Sequence, residues 1–160
     1  MKHSFAAACA AIALASAAPA AFAADAPRQT QVERNSEKVM PFSMQSSKHV
    51  FVPTPNGGVQ TVLVHDGNAK QVGLVRAHLR KEAAAFARGN FTDPASIHGT
   101  AMPGLKALRA GASRIAVRYA DVANGARITY ATNDAALIVA IHDWFKAQVG
   151  DHGAHAVMKM

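Results

Sequence analysis

The stretch HVFVPTPNGGVQTVLV, residues 49–64, decides the fold of this chain because it predicts the first pair of strands. Two runs rich in Val and Phe flank Asn56-Gly57-Gly58, and an Asn-Gly pair between apolar runs is a strong signal for a β-hairpin. Pro53 and Pro55 lack the backbone N–H that a central ladder needs, so the first strand is predicted to be an edge or to end early. The stretch therefore predicts a fold built on antiparallel strands.

A helix is predicted directly after this hairpin. Asp66-Gly67-Asn68 is typical of a helix start, and Gly89 is predicted to end the helix near Arg88. The apolar residues recur at helical spacing and form one stripe of Val72, Val75, Leu79 and Phe86. At about 100° per residue, His78 and Glu82 fall on or beside that stripe. Both side chains are therefore predicted to face the interior or its margin.

The second half of the chain repeats this order. Residues 114–119 and 127–131 have the composition of strands, and the Asn124-Gly125 turn separates them. A capped helix follows over about residues 133–149, with a glycine as its stop. His142 lies on the margin of the apolar face of that helix.

The order ββαββα predicts an α+β fold in two layers, with a four-stranded antiparallel sheet and helices on one face. Overlaying the two halves places His78 against His142, so each helix carries a histidine at nearly the same depth. This likeness indicates an internal duplication. It also fits two short strand–helix units that are alike by chance, and the sequence leaves both interpretations open.

The two ends of the chain are predicted to lie outside the folded unit. Residues 1–23 have a positive start, an alanine-rich apolar run and a small-x-small cleavage pattern, which together predict a signal peptide. Residues 24–47 are predicted to be a flexible N-terminal arm, 48–150 a single α+β domain, and 151–160 a flexible tail with His and Met. The expected location is periplasmic or secreted, with no membrane insertion after cleavage.

Charge and cysteine content exclude several classes of function. The formal net charge is +7, but the basic residues are spread along the chain without a dense cluster of Lys, Arg and aromatics, so nucleic-acid binding is not expected. The single cysteine, Cys9, lies in the predicted signal peptide. The mature chain is therefore expected to have no disulfide and no thiolate ligand.

The linker between the halves, residues 97–105, holds an imidazole and a thioether four residues apart, His98 and Met102. Without cysteine, histidine and methionine are the soft ligands available; imidazole suits copper, zinc, iron and nickel, and a thioether favours Cu(I) or haem iron. The sequence therefore predicts a metal site, most simply for a copper ion, with haem or zinc as alternatives. Its candidate ligands are His98, Met102, His78, His142, Glu82, His49 and His152.

Two other functions stay open at this level. One is a small periplasmic enzyme that uses a His/Glu acid–base pair, with His98 as the base. The other is a non-catalytic binding module in which the histidines are structural. Signatures of serine hydrolases, zinc proteases, P-loop proteins and dinucleotide-binding proteins do not occur, so no catalytic residue is assigned. The expected partners are a metal ion and, as an alternative to a monomer, a second copy in a homodimer.

Several motifs resemble those of a family of small, mostly uncharacterised bacterial proteins, over about residues 41–155. The resemblance rests on HVF at 49–51, IHGTAMPGL at 97–105, ARITY at 126–130, IHDWF at 141–145 and DHG at 151–153. Some members carry an automatic label of aspartate carbamoyltransferase. That label implies a cytoplasmic enzyme about twice as long with a phosphate-binding Ser-Thr-Arg-Thr segment, which this sequence does not contain. The resemblance implies a genuine domain and brings no activity with it.

Overall fold

The computed structural model describes residues 26–160, and the predicted signal peptide lies outside this range. Five helices are described: α1 (Ala26–Val39), α2 (Ala69–Phe86), α3 (Thr92–His98), α4 (Leu105–Gly111) and α5 (Ala135–His152). The strands are β1 (Ser47–Thr54), β2 (Gly57–Val64), β3 (Ala116–Val122), β4 (Gly125–Ala131) and β5 (Ala156–Met158). Within residues 26–160 no helix combines the length and apolarity that crossing a membrane requires.

The five strands form one sheet in the order β3-β4-β2-β1-β5. The α+β class is confirmed, but the prediction of four antiparallel strands was wrong. The first four strands pair antiparallel, whereas β5 pairs parallel with β1, from His49 opposite Ala156 to Phe51 opposite Met158. Because β5 covers the outer side of β1, the proline-containing strand is not at the edge of the sheet over those three residues.

One face of the sheet carries the core, as the period-2 alternation predicts. Phe51, Gln60 and Ile128 lie in register across β1, β2 and β4 and are buried. Helices α2 and α5 pack on this face. Phe145 of α5 contacts Phe51, with ring centroids 5.0 Å apart, and Phe86 of α2 lies edge-on to Trp144 of α5.

The two ββα halves are related by an internal two-fold pattern of pairing. Adding 68 to each number carries the Lys48–Leu63 pair to Ala116–Ala131 and the Thr54–Gly57 pair to Val122–Gly125. The same shift maps the β2–β4 ladder onto itself, with Gln60 opposite Ile128 at its centre. The hydrogen-bonding register therefore supports the internal repeat.

The helices of the repeat follow a slightly different offset. Asn68 caps α2 and Asp134 caps α5, each through its side-chain oxygen, so equivalent helix positions are 66 residues apart. The predicted match of His78 with His142, which are 64 residues apart, is therefore wrong by two residues. The counterpart of His142 is Arg76.

Neither end of the described chain is a flexible arm. Residues 26–39 form α1, whose Val32 and Ser36 are buried. Residues 151–160 contain the end of α5, a short 3₁₀ turn and β5. The predictions for both segments were wrong because their order comes from packing on the domain rather than from any periodic apolar pattern of their own.

Candidate metal centre

Helix α2 and the start of α3 bring an imidazole and two carboxyls together. His78 and Glu82 are four residues apart on α2 and so lie on the same side of the helix, while Asp93 lies in the first turn of α3. One ligand atom from each of the three side chains can be chosen so that all lie within 4.8 Å of one another. Glu82 is buried and the other two are half-buried. This triad has the residue types and spacing of a metal site.

The pKa values of all three triad side chains are shifted from their ordinary values. Burial, followed by a hydrogen bond with Asp93, raises the pKa of Glu82 from 4.5 to about 8. Burial by itself would raise the pKa of Asp93, but the hydrogen bonds from Lys81 and Glu82 outweigh this effect and lower the pKa. Burial lowers the pKa of His78 to about 4. At neutral pH the triad therefore holds a neutral imidazole and two carboxyls that share one proton.

Lys81 balances the remaining negative charge. Its Nζ lies 2.9 Å from Asp93 Oδ2 and 3.8 Å from Glu82 Oε1. The lysine side chain is largely exposed, so its attraction for the carboxyls is screened by solvent.

The triad lines a small cavity between the two main helices and the sheet. The cavity has a volume of about 40 Å³, which is room for a few water molecules or one ion rather than for an organic substrate. The lining also includes His49, His98 and Gln148, and Gln60 contributes from the sheet. Two of the polar atoms there, His49 Nδ1 and Gln148 Nε2, are buried with no hydrogen-bond partner within residues 26–160.

His98 ends α3 and contacts an ion pair between α1 and the C-terminal end of α5. Its Nδ1 lies 2.8 Å from Asp151 Oδ2. Arg28 of α1 donates to both oxygens of Asp151, each at 2.6 Å, and also donates to the His98 carbonyl at 2.9 Å. The carboxyl of Asp151 is partly buried, which by itself raises its pKa, but the hydrogen bonds from His98 and Arg28 lower the pKa below its ordinary value.

His49 and His152 extend this group of imidazoles. Their rings stack with centroids 5.0 Å apart and planes 12° apart, and His152 meets His98 edge-on at 4.8 Å. Burial, assisted by the neighbouring histidines, lowers the pKa of His49 to about 3 and that of His152 well below 6.5. Both rings are therefore neutral at physiological pH, which is the protonation state that a metal ligand needs.

The internal repeat provides a comparison for Glu82. The helix offset of 66 residues makes Gln148 of α5 its counterpart, and both side chains are buried and line the same cavity. Glutamine has nearly the same shape and no proton to lose. The half that contributes His78 and Asp93 thus carries the carboxyl, and the other half carries the neutral amide.

The structure brings together four of the seven predicted ligands. His78, Glu82, His49 and His98 line the one cavity. His152 stacks on His49 but lines a neighbouring cleft of about 240 Å³ against α1. All three histidines that line the cavity are among the candidates drawn from the sequence.

The other two predicted ligands lie elsewhere. His142 Nε2 lies 2.8 Å from the Gly57 carbonyl and 3.1 Å from that of Thr54, so it is a donor to the first hairpin. Arg76 makes the equivalent contacts with Gly125 and Val122 in the other half. Met102 is buried in the hydrophobic core and is not among the residues that line the cavity. The structure therefore does not bring His142 and Met102 to the cavity.

Sequence reasoning missed Asp93, Gln148, Asp151 and Arg28. Asp93 precedes a proline at the start of α3, a pattern that is typical of the first turn of a helix. Asp151 directly precedes His152, but the sequence pattern predicted a role only for the histidine. Arg28 gave no signal because its partner lies 123 residues away.

Comparisons of the chain with protein-family models, with curated protein sequences and with solved structures found no match.

Proposed function

We propose that this chain is an exported protein that binds a divalent transition-metal ion through His78, Glu82 and Asp93. The observation that carries the proposal is the meeting of these three ligand atoms within 4.8 Å at the wall of a small cavity. Imidazole with carboxylates suits Zn²⁺, Cu²⁺ and Fe²⁺. The protein would bind or buffer the ion in the periplasm, where the predicted signal peptide would deliver it.

The protonation of Glu82 supports a ligand role. At pH 7 the unfolded chain carries an ionised glutamate, whereas the folded chain keeps it protonated because its pKa is raised to about 8. Since each pKa unit corresponds to about 1.4 kcal/mol, this carboxyl destabilises the fold by about 3 kcal/mol at pH 7. Its counterpart Gln148 avoids that cost, so a role outside folding accounts for the glutamate. Binding a cation would displace the proton and leave a carboxylate ligand.

The donor set also bears on which ion is bound. Copper remains a candidate as Cu²⁺, which binds nitrogen and oxygen ligands more tightly than Zn²⁺ does. A Cu(I) site loses its support, because Met102, the expected thioether ligand, belongs to the hydrophobic core. Haem does not fit a cavity of about 40 Å³.

Titration of the purified chain, after treatment with EDTA, tests the proposal. Zn²⁺ and Cu²⁺ would be followed by calorimetry, and Co²⁺ by its absorption spectrum. One ion should bind per chain, and His78→Ala and Asp93→Asn should each weaken the affinity at least 100-fold. Met102→Leu and His142→Gln serve as controls and should leave the affinity within about threefold.

Two outcomes would overturn the metal assignment. One is no binding of any of the three ions at micromolar concentration. The other is equal affinity in the wild type and in His78→Ala, which would place the ion elsewhere.

An acid–base enzyme is the second candidate. The proton shared by Glu82 and Asp93 favours it, because a carboxyl with a pKa of about 8 can donate a proton at neutral pH. A negative metal titration combined with turnover of a small hydrolase or lyase substrate, lost in Glu82→Gln, would select this candidate over metal binding.

A further inference from the structure

We propose that the outer edge of β3 is an interface at which two copies of this chain pair strand to strand, antiparallel, and so join their sheets. Strand β3 lies at one end of the sheet, and no other strand within residues 26–160 pairs with its outer side. The inference goes beyond the proposed function, because it uses neither the cavity nor any of the proposed metal ligands.

The internal repeat shows what the equivalent edge of the other half binds. Strand β1 is the counterpart of β3 at the strand offset of 68, and β5 covers its outer side. The backbone N–H of Lys159 donates to the carbonyl of Phe51 at 2.9 Å, so the backbone of Phe51 faces outward. Its counterpart in β3 is Tyr119. Because backbone groups alternate sides along a strand, the N–H and C=O groups of Val117, Tyr119 and Asp121 face the free edge.

Strand β3 lacks the features that protect edge strands in other proteins. Such strands are usually protected by proline, lysine, a bulge or a covering segment. In β1, Pro53 removes an outward N–H and β5 supplies the cover. The counterpart of Pro53 is Asp121, which keeps its N–H, and the β3–β4 ladder runs without a bulge from Ala116 to Val122. The free edge of β3 therefore presents a row of backbone groups that a further strand can bind.

The charges along β3 favour a second copy as the occupant and select one register. A two-fold axis at Ala120 places Tyr119 of each copy opposite Asp121 of the other. Arg80 lies 4.9 Å above the ring of Tyr119, so its guanidinium comes beside the carboxylate of the second copy. In this register the two Arg118 side chains are about 13 Å apart along the strands. An axis at Arg118 would instead place like charges directly opposite each other, which is destabilising.

Helix α2 is placed to extend this interface. It packs over β3 and β4, so pairing at β3 brings the α2 helices of the two copies side by side. About two strand spacings then separate their axes, or about 10 Å, which is an ordinary distance between packed helices. Ala77 and Ala84, on either side of Arg80 along α2, are exposed. Their small side chains allow the two helices to approach.

Sedimentation equilibrium of the mature chain in EDTA tests the proposal. The average mass should rise from that of one chain at about 5 µM to that of two chains at about 500 µM. Asp121→Pro gives β3 the residue that β1 carries at the equivalent position, and it should weaken the dimer at least about 10-fold because it removes an N–H from the interface. Asp121→Ala is the matched control. It keeps the N–H and should stay within about fivefold of the wild type.

A cysteine cross-link tests the register. The only cysteine of the wild type, Cys9, lies in the predicted signal peptide, so one introduced cysteine reports on the interface. At the axis, the two Ala120 residues form a non-hydrogen-bonded pair with Cα atoms about 4.5 Å apart, within the range that a disulfide spans. Ala120→Cys should therefore form a disulfide-linked dimer with the oxidant diamide. Ala116→Cys, on the same face of β3 but about 27 Å from its copy, should not.

Three results would overturn the proposal. The first is a single-chain mass at every concentration, which is what an edge reserved for a strand of another protein predicts. The second is equal dimer affinity in Asp121→Pro and Asp121→Ala, which would place the interface elsewhere. The third is cross-linking of Ala116→Cys in preference to Ala120→Cys. The cysteine variants keep the test decisive if circular dichroism shows that Asp121→Pro does not fold.

Discussion

Replacing Glu82 with glutamine should stabilise the protein at neutral pH. The folded carboxyl has a pKa of about 8, against an ordinary value of 4.5. Between these two values the unfolded chain releases a proton that the folded chain keeps, so stability falls as the pH rises through this window. At pH 7 the accumulated loss is about 3 kcal/mol at about 1.4 kcal/mol per pKa unit. Glutamine has no such proton, and its amide can donate to Asp93 as the protonated carboxyl does.

The assay is urea unfolding of the wild type and Glu82→Gln in EDTA, from pH 4 to pH 8. The variant should be more stable by about 3 kcal/mol at pH 7, which corresponds to a rise in melting temperature on the order of 10 °C. At pH 4 the two proteins should differ by less than about 0.5 kcal/mol, because the carboxyl is then protonated in both states. Glu37→Gln is the control, since Glu37 is exposed, and it should change stability by less than about 0.5 kcal/mol.

The pH dependence of the stability difference distinguishes an effect of the Glu82 proton from an effect of packing. A gain at pH 7 that persists unchanged at pH 4 would show that packing, rather than the proton, distinguishes the two side chains. No gain at pH 7 would refute the raised pKa of Glu82 itself.

Three further predictions concern protons and the internal repeat. Wild-type stability in EDTA should peak near pH 6.5. Below this pH, proton uptake by His49, His78 and His152 on unfolding outweighs proton release by Glu82, and above it the release by Glu82 dominates. Urea midpoints that rise steadily to pH 8 would contradict this. Zinc binding should release about one proton at pH 7, which calorimetry in buffers of different ionisation enthalpy would measure. The apparent zinc affinity should rise about tenfold per pH unit up to pH 8. In Glu82→Gln this dependence of zinc affinity on pH should be weaker. His142→Ala should lower stability by about 1 to 2 kcal/mol, because it removes the one Nε2–H that both hairpin carbonyls share. It should leave zinc affinity unchanged, and a large loss of affinity would show that His142 acts on the site.

Much of the architecture could be predicted because its signals are local. The Asn-Gly turns at 56–57 and 124–125 predicted both hairpins, and side-chain caps at Asn68 and Asp134 begin the two long helices. The placement of His78 and Glu82 on one side of α2 follows from helical spacing alone. These features depend on residues within a few positions of one another, so no knowledge of the remaining chain was needed.

The number of strands and the order of the ends were decided by distant contacts. Helix α1 has a polar sequence that would be marginal in isolation, and it is held by Arg28 on Asp151 and by burial of Val32. Strand β5 has three residues, and its pairing with β1 depends on where α5 ends. Neither segment has a periodic pattern of apolar residues from which its secondary structure could be predicted.

Local sequence signals specify two ββα halves and a set of histidines without cysteine beyond the predicted signal peptide. Which of these histidines meet depends on tertiary packing. His142 and His78 are not equivalent positions of the two helices: His142 donates to a hairpin carbonyl, whereas His78 lies beside Asp93. The periodicity of a helix gives the direction of a side chain to within one face, but its partner is set by the packing of elements far apart in the chain. For that reason the triad and the Arg28–Asp151–His98 contacts are properties of the folded protein rather than of any one segment.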